Sequence, residues 1–284
     1  VDLSRHRRRA QKRRWIKIAI ATVFWLALIV LLRPMFVRQM LYPAPAIPVG
    51  EPPPGLEEVV LELDGGVRAV GWAGSGEGPA VVFLHGNGEN LETMRMAGLY
   101  EELEALEVTF LALDYPGYGR STGQPSEESL VAASNAAFAW LGERHPGAPR
   151  AIVGWSLGAA VGIQTAAAHA DEVEGVVLLS AWDTLPELAA NFFPGFLVNL
   201  ALDDTYDSLA AAAELEAPVL MIHGVEDRII GIEHGRRLHG AFDGNARFVE
   251  IPRAGHNDLL GRPEVWHHLG DFLRMLQVST PKKR

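Results

Sequence analysis

Ser156 sits in the pentapeptide Gly154-Trp155-Ser156-Leu157-Gly158; Asp227 follows 71 residues later, and His256 another 29 after that. A serine hydroxyl is a poor nucleophile until a nearby imidazole removes its proton. A buried carboxylate then fixes the imidazole tautomer and stabilises the imidazolium that forms. Brought together, these three side chains would attack a carbonyl carbon and hold the acyl group until water releases it. The pentapeptide alone is a weak signal, because Gly and Ser are ordinary loop residues. Its surroundings strengthen it. The apolar run Ala151-Ile152-Val153 precedes it and an Ala/Gly-rich helical stretch follows, so the serine falls on a tight strand-to-helix turn. Glycine two positions to either side leaves the room such a turn needs.

Other residues compete for the partner roles. His234, His239, His267 and His268 fall within predicted helices, whereas His256 lies in a Gly-His-Asn-Asp loop just past the strand ending at Ile251. Asp227 comes just past the strand ending at His223. Glu226 beside it, and Asp183 after the strand that follows the serine, are alternative acids. Charge developing on a substrate oxygen is best met by main-chain donors fixed in advance. The loop His85-Gly86-Asn87-Gly88 follows the apolar run Ala80–Leu84; the N–H groups of Asn87 and Leu157 are the expected pair. His85 is expected to brace its own loop, and Asp114 to serve turn geometry. The Gly-rich loop 117–123 lacks both the Gly-Lys-Ser/Thr ending and the G-x-G-x-x-G spacing of a phosphate cradle. There is no cysteine, which excludes disulfides, thiolate catalysis and cysteine metal sites. The serine chemistry calls for no metal and no organic cofactor.

The elements that must position these residues are readable in order. Glu57–Leu63 and Val67–Trp72 flank Asp64-Gly65-Gly66 and predict a hairpin. Strands are expected at 80–84, 108–113, 151–153, 173–179, 219–223 and 247–251. Helices are expected at 91–106, at 126–141 with Ser126 as N-cap, and at 157–169, 232–242 and 263–278. Short apolar strands alternating with helices imply a mostly parallel sheet covered on both faces. Functional groups then belong at the carboxyl ends of the strands. The segment 181–213 is irregular and predicts a short cap. Trp155 beside the serine, and Phe192, Phe193 and Phe196 in the cap, are the candidate substrate contacts; the phenylalanines either form the packed apolar face of the cap or line a slot for an acyl chain.

The ends of the chain differ from its body. Residues 1–38 carry ten Lys/Arg against Asp2; the remaining 246 residues hold 15 basic and 34 acidic side chains. An acidic body disfavours nucleic acid. Trp15 to Leu32 is apolar apart from Lys17, close to the roughly 20 residues a bilayer requires. The expected order is a basic cytoplasmic segment 1–14, a transmembrane anchor 15–33 and a Pro-rich linker 34–55. A hydrolase domain 56–278 and a basic tail 279–284 complete it. Basic residues ahead of the span place the N-terminus in the cytoplasm and the body across the membrane, a bacterial inner membrane facing the periplasm being favoured. A cleaved signal peptide would need a small-residue site soon after the apolar run, and Arg33-Pro34 stands there instead.

Five blocks together resemble the α/β-hydrolases, and specifically the Bem46-type membrane-associated serine hydrolases. They are His85–Asn90, Asp114–Gly123, Gly154–Gly158, His223–Ile230 and Gly255–Asp258. The resemblance implies an α/β-hydrolase fold with an N-terminal antiparallel hairpin. It further implies an esterase, thioesterase or peptidase-like activity on acyl groups, including those of lipids or lipidated proteins. The expected function is a membrane-anchored esterase or thioesterase using Ser156, His256 and Asp227. A peptidase or amidase, a secreted soluble hydrolase, and a non-catalytic binding protein on the same fold are the alternatives.

Overall fold

Strands whose residues are buried along their whole length form the centre of one eight-stranded sheet. The computed structural model describes residues 3–279, so most of the expected basic tail lies outside the described residues. The strands are β1 (Glu57–Glu62), β2 (Arg68–Gly74), β3 (Ala80–Leu84), β4 (Thr109–Asp114), β5 (Arg150–Trp155), β6 (Gly175–Leu179), β7 (Val219–Gly224) and β8 (Ala246–Ile251). They lie in the order β1-β2-β4-β3-β5-β6-β7-β8. β1 and β2 pair antiparallel, as do β2 and β4; every later pairing is parallel. β1 alternates, with Val59 and Leu61 turned inward, as suits an edge strand with one wet face.

Both faces are covered by helices. On one, α2 (Leu91–Met96), α3 (Leu99–Ala105) and α10 (Pro263–Ser279) flank the sheet. Phe83, Phe110, Val153 and Leu220 share a core there with Leu103, Leu269 and Leu273. On the other lie α4 (Glu127–Arg144) and α5 (Leu157–Ala168). Ser126 caps α4 through a capping box with Ser129, satisfying donors that the first turn leaves open. The expected single helix 91–106 is two helices. Gly98 takes φ +78° between them, and a left-handed glycine ends a helix.

Between β6 and β7 the chain forms a cap of three short helices, α6 (Leu185–Ala190), α7 (Gly195–Ala201) and α8 (Ser208–Ala213). α9 (Ile232–His239) connects β7 to β8.

The chain divides into two units, residues 1–41 and 42–284. The first contains one helix, α1 (Leu3–Leu41), which continues through Pro34. The linker expected from residue 34 therefore starts only after Leu41. Proline removes one hydrogen bond and tends to kink a helix, yet apolar residues on both sides continue the pattern here. Ile20–Leu41 is long and apolar enough to cross a membrane, spanning about 33 Å at the helical rise against roughly 30 Å of hydrocarbon.

The strap after α1 is fastened to the body rather than extended away from it. The Tyr42 hydroxyl donates to Asp204 at 2.6 Å and lies 3.0 Å from that of Tyr206. Asn90 donates to the Ile47 carbonyl at 2.8 Å, and Val49 is buried in the core.

Candidate active site

Leu84 at the end of β3 pairs with Gly154 near the end of β5. β4 lies on one side of β3 and β5 on the other, so the loops leaving β3 and β5 part in opposite directions. Crevices in such sheets open at this reversal, beyond the carboxyl ends of the strands. Ser156 emerges here with φ 57° and ψ −116°. A positive φ on a residue with a side chain stores roughly 1–3 kcal/mol and needs surrounding structure to hold it. Part of that hold is the Ser156 N–H, which donates to the Leu179 carbonyl at 2.8 Å. The flanking glycines are steric requirements: a Cβ on Gly154 would lie 2.1 Å from the Gly158 carbonyl oxygen.

The loops after β7 and β8 bring the other two groups to the serine. His256 Nε2 lies 3.0 Å from Ser156 Oγ, and its Nδ1 lies 2.7 Å from Asp227 Oδ2. All three side chains are buried. With Asp227 ionised, Nδ1 carries the proton and donates it, which leaves Nε2 to accept from the serine hydroxyl. The Ile229 and Ile230 amides donate to Asp227 Oδ1 at 2.9 and 2.8 Å. Burial by itself pushes the Asp227 carboxyl up. The hydrogen bond and charge of His256, with the two amides, outweigh burial and hold the carboxyl below its ordinary value.

Sequence reasoning passed over His223. It is buried, its Nε2–H donates to the Ile230 carbonyl at 2.8 Å, and burial pushes its pKa down. It thus fixes, in neutral form, the turn whose amides hold Asp227. Its position at the end of β7, four residues before the acid, was the available signal.

Asn87 lies in the loop after β3, and Leu157 follows Ser156 at the turn after β5. Leu157 is the first residue of α5, so its N–H has no acceptor within the helix. The Asn87 side-chain oxygen accepts from the Tyr118 hydroxyl at 2.7 Å and from the Gly88 amide at 3.1 Å. His85 braces this loop: its Nδ1 bonds the Gly86 carbonyl at 2.8 Å, and the Tyr115 hydroxyl donates to its carbonyl at 2.8 Å. Asp114 does more than shape a turn. Its Oδ1 accepts from the Leu91 amide at 3.0 Å and lies 3.3 Å from His85 Nε2. The Tyr115 and Tyr118 contacts, like that of Asp114, join positions about 30 residues apart and had no local signature.

The competing residues go elsewhere. Asp183 is buried with His234 Nδ1 at 2.6 Å and Arg237 Nε at 2.6 Å, and His234 Nε2 lies 2.7 Å from Asn191 Nδ2. Glu226 and His267 are exposed, and His239 bonds the Ala246 carbonyl. Burial pushes the Asp183 carboxyl up, but the bonds from His234, Arg237 and the Thr184 amide bring it down to about 2. A depressed carboxyl stabilises the fold above its unfolded value, near 4, and that contribution is lost as pH falls through the native value. Asp183→Asn is therefore expected to cost about 2 kcal/mol at neutral pH. In denaturant titrations the deficit should shrink between about pH 4 and pH 2.

Phe192, Phe193 and Phe196 do not line a closed slot. They are 59, 48 and 72% exposed, because the chain turns at Asn191–Pro194 between α6 and α7 and presents them outward. Trp155 is buried, its ring 5.6 Å from that of His256. Among the described residues, no group of three or more His, Asp or Glu is arranged to hold a metal ion.

Comparison with known proteins gives this geometry its context. Residues 79–211 match the family described as the alpha/beta hydrolase fold. An uncharacterized protein of Mycobacterium tuberculosis is 36% identical over 211 residues, 72% of this chain and 74% of that one. The protein bem46 of Schizosaccharomyces pombe is 26% identical over 211 residues, covering 72% and 70%. The structure of the Pyrococcus furiosus esterase Pf2001 aligns with a TM-score of 0.66 at 22% identity, over 82% of this chain and 98% of that one. The eight-stranded sheet, its antiparallel first hairpin and these relatives agree: the chain belongs to the α/β-hydrolases, in their Bem46-type branch.

Proposed function

We propose that this hydrolase is a membrane-anchored serine hydrolase that cleaves acyl esters or thioesters through an acyl-enzyme. The observation that carries the reading is the unbroken line from Ser156 Oγ through His256 to Asp227, at 3.0 and 2.7 Å. Ser156 Oγ bonds to the carbonyl carbon as its proton passes to His256 Nε2. The carbonyl electrons move onto oxygen, where the Asn87 and Leu157 amides stabilise them. As they return, the bond to the leaving group breaks and His256 gives that group its proton. Water then repeats the sequence on the acyl-serine and frees the acid. Asp227 keeps His256 in the tautomer each half needs.

Anchoring is supported by Ile20–Leu41, long and apolar enough to span. The basic residues ahead of it set the N-terminus in the cytoplasm and the hydrolase unit on the opposite side, facing the periplasm if the host is a bacterium. Lipids and lipidated proteins are the substrates within reach of such an enzyme.

A fluorophosphonate, which reacts with an activated serine and mimics the tetrahedral state, tests the reading. It should label the full chain at Ser156 and nowhere else. Labelling that survives Ser156→Ala would remove the assignment.

A further inference from the structure

We propose that a pocket of about 420 Å³ walled in part by Trp155 and Asn257, the chain neighbours of Ser156 and His256, receives an alkyl chain of the substrate; this rests on the reading of Ser156 and His256 as the reacting groups. Three of its wall residues lie within two positions of candidate site residues in sequence. Trp155 precedes Ser156, Asn257 follows His256, and Glu89 lies two residues beyond Asn87. Trp155 belongs to both places, since its ring also lies 5.6 Å from that of His256. Ser156 and His256 are not themselves on the wall, so Trp155 and Asn257 are what join the pocket to the reacting groups.

The chemistry of the wall selects the occupant. Ile47, Met94, Ala97 and Leu260 supply apolar surface with Trp155. The Thr93 hydroxyl, also on the wall, is occupied in the cap of α2, where it bonds the Asn90 amide and carbonyl. The one ionisable group on the wall is the Glu89 carboxylate, so nothing there would hold an anion. The flexible methionine side chain adapts to chains of differing shape, and the volume falls within the usual range for small-molecule sites. The strap contributes Ile47, fixed by the Asn90 bond to its carbonyl, so the wall is set in place before substrate arrives. The outward phenylalanines of the cap, at 48–72% exposure, are not on the wall of this pocket.

An alkyl chain can belong to the acyl half or to the alcohol half of an ester, and two substrate series separate them. One lengthens the acyl group on a fixed aryl alcohol; the other lengthens the alcohol on acetate. With the full chain in lipid nanodiscs, one series should gain about fourfold in kcat/KM per added methylene until the pocket is filled. Ala97→Trp narrows the pocket from an exposed position with ordinary helical angles. It should shorten the preferred chain and lower the long-to-short ratio of kcat/KM at least tenfold. Phe196→Ala should leave the ratio unchanged. A ratio that moves with Phe196→Ala and not with Ala97→Trp would overturn the proposal, as would a flat profile in both series.

Photocrosslinking with diazirine-bearing decanol and decanoate gives a readout that needs no turnover. Adducts on residues 89–97 or 257–261, reduced by Ala97→Trp, support the pocket even if Ser156 proves inert. Adducts confined to other segments overturn it even if Ser156 is a working nucleophile.

Discussion

Ser156→Ala and His256→Ala are each expected to lower kcat for an aryl ester about a millionfold, and the double variant no further. The reason is that the two act as one unit. A serine without its base stays a protonated hydroxyl, and a base without its serine has no proton to take. Asp227→Asn should cost less, about ten-thousandfold, because it leaves nucleophile and base in place. The amide can present its N–H₂ to His256 Nδ1, which favours the tautomer with the proton on Nε2, facing Ser156 Oγ, where it cannot act as a base. The surviving rate would come from the Asn87 and Leu157 amides and from binding alone. Single-turnover measurements on the three single variants and the Ser156/His256 double variant test this. Losses that multiply in the double variant would mean the two residues act separately, and the hydrogen bond at 3.0 Å would then not be catalytic.

The candidate triad was legible because two constraints converge on few residues. A strand-to-helix turn restricts the nucleophile to Ser156, and a parallel sheet restricts its partners to the loops after later strands, where Asp227 and His256 lie. The supporting residues had no such constraint. Tyr118 reaches Asn87 across 31 residues and His234 reaches Asp183 across 51, distances over which periodicity carries no information. The phenylalanines of the cap illustrate the opposite failure. Their apolar character argued for burial, but exposure is set by the turn at Asn191–Pro194 and by which face the cap rests on. The break at Gly98 and the passage of α1 through Pro34 are of another kind. A glycine can continue a helix or end it and a proline can stop one or kink it, and tertiary context decides between these outcomes.

Gly158→Ala is expected to destabilise the hydrolase by about 4 kcal/mol, among the largest effects a single methyl can have. Local propensity predicts the reverse, since alanine is favoured over glycine within a helix by about 1 kcal/mol. Packing decides the sign. A Cβ at Gly158 would lie 2.0 Å from the Leu84 carbonyl oxygen and 2.7 Å from that of His85. Both are backbone atoms, of β3 and of the loop that carries Asn87, and neither can swing aside as a side chain would. Either α5 lifts from the sheet or the Asn87 loop moves, and in both cases the proposed pairing of the Asn87 and Leu157 amides at the oxyanion is disturbed. Activity should therefore fall in whatever fraction still folds. Gly162→Ala, one turn further along α5, is the internal control. Its Cβ would meet the Ile152 Cγ2 methyl at 2.9 Å, a side-chain and not a backbone atom; overpacking of about 1–3 kcal/mol is partly offset by alanine's helix preference of about 1 kcal/mol, so a loss of no more than about 2 kcal/mol is expected. Urea titrations of both variants, read beside fluorophosphonate labelling, separate the two effects. If Gly158→Ala proved as stable as Gly162→Ala and labelled at the wild-type rate, the elbow would be looser than a 2.0 Å approach allows. Ser156 would then owe its φ of 57° to something other than the closeness of α5 to β3.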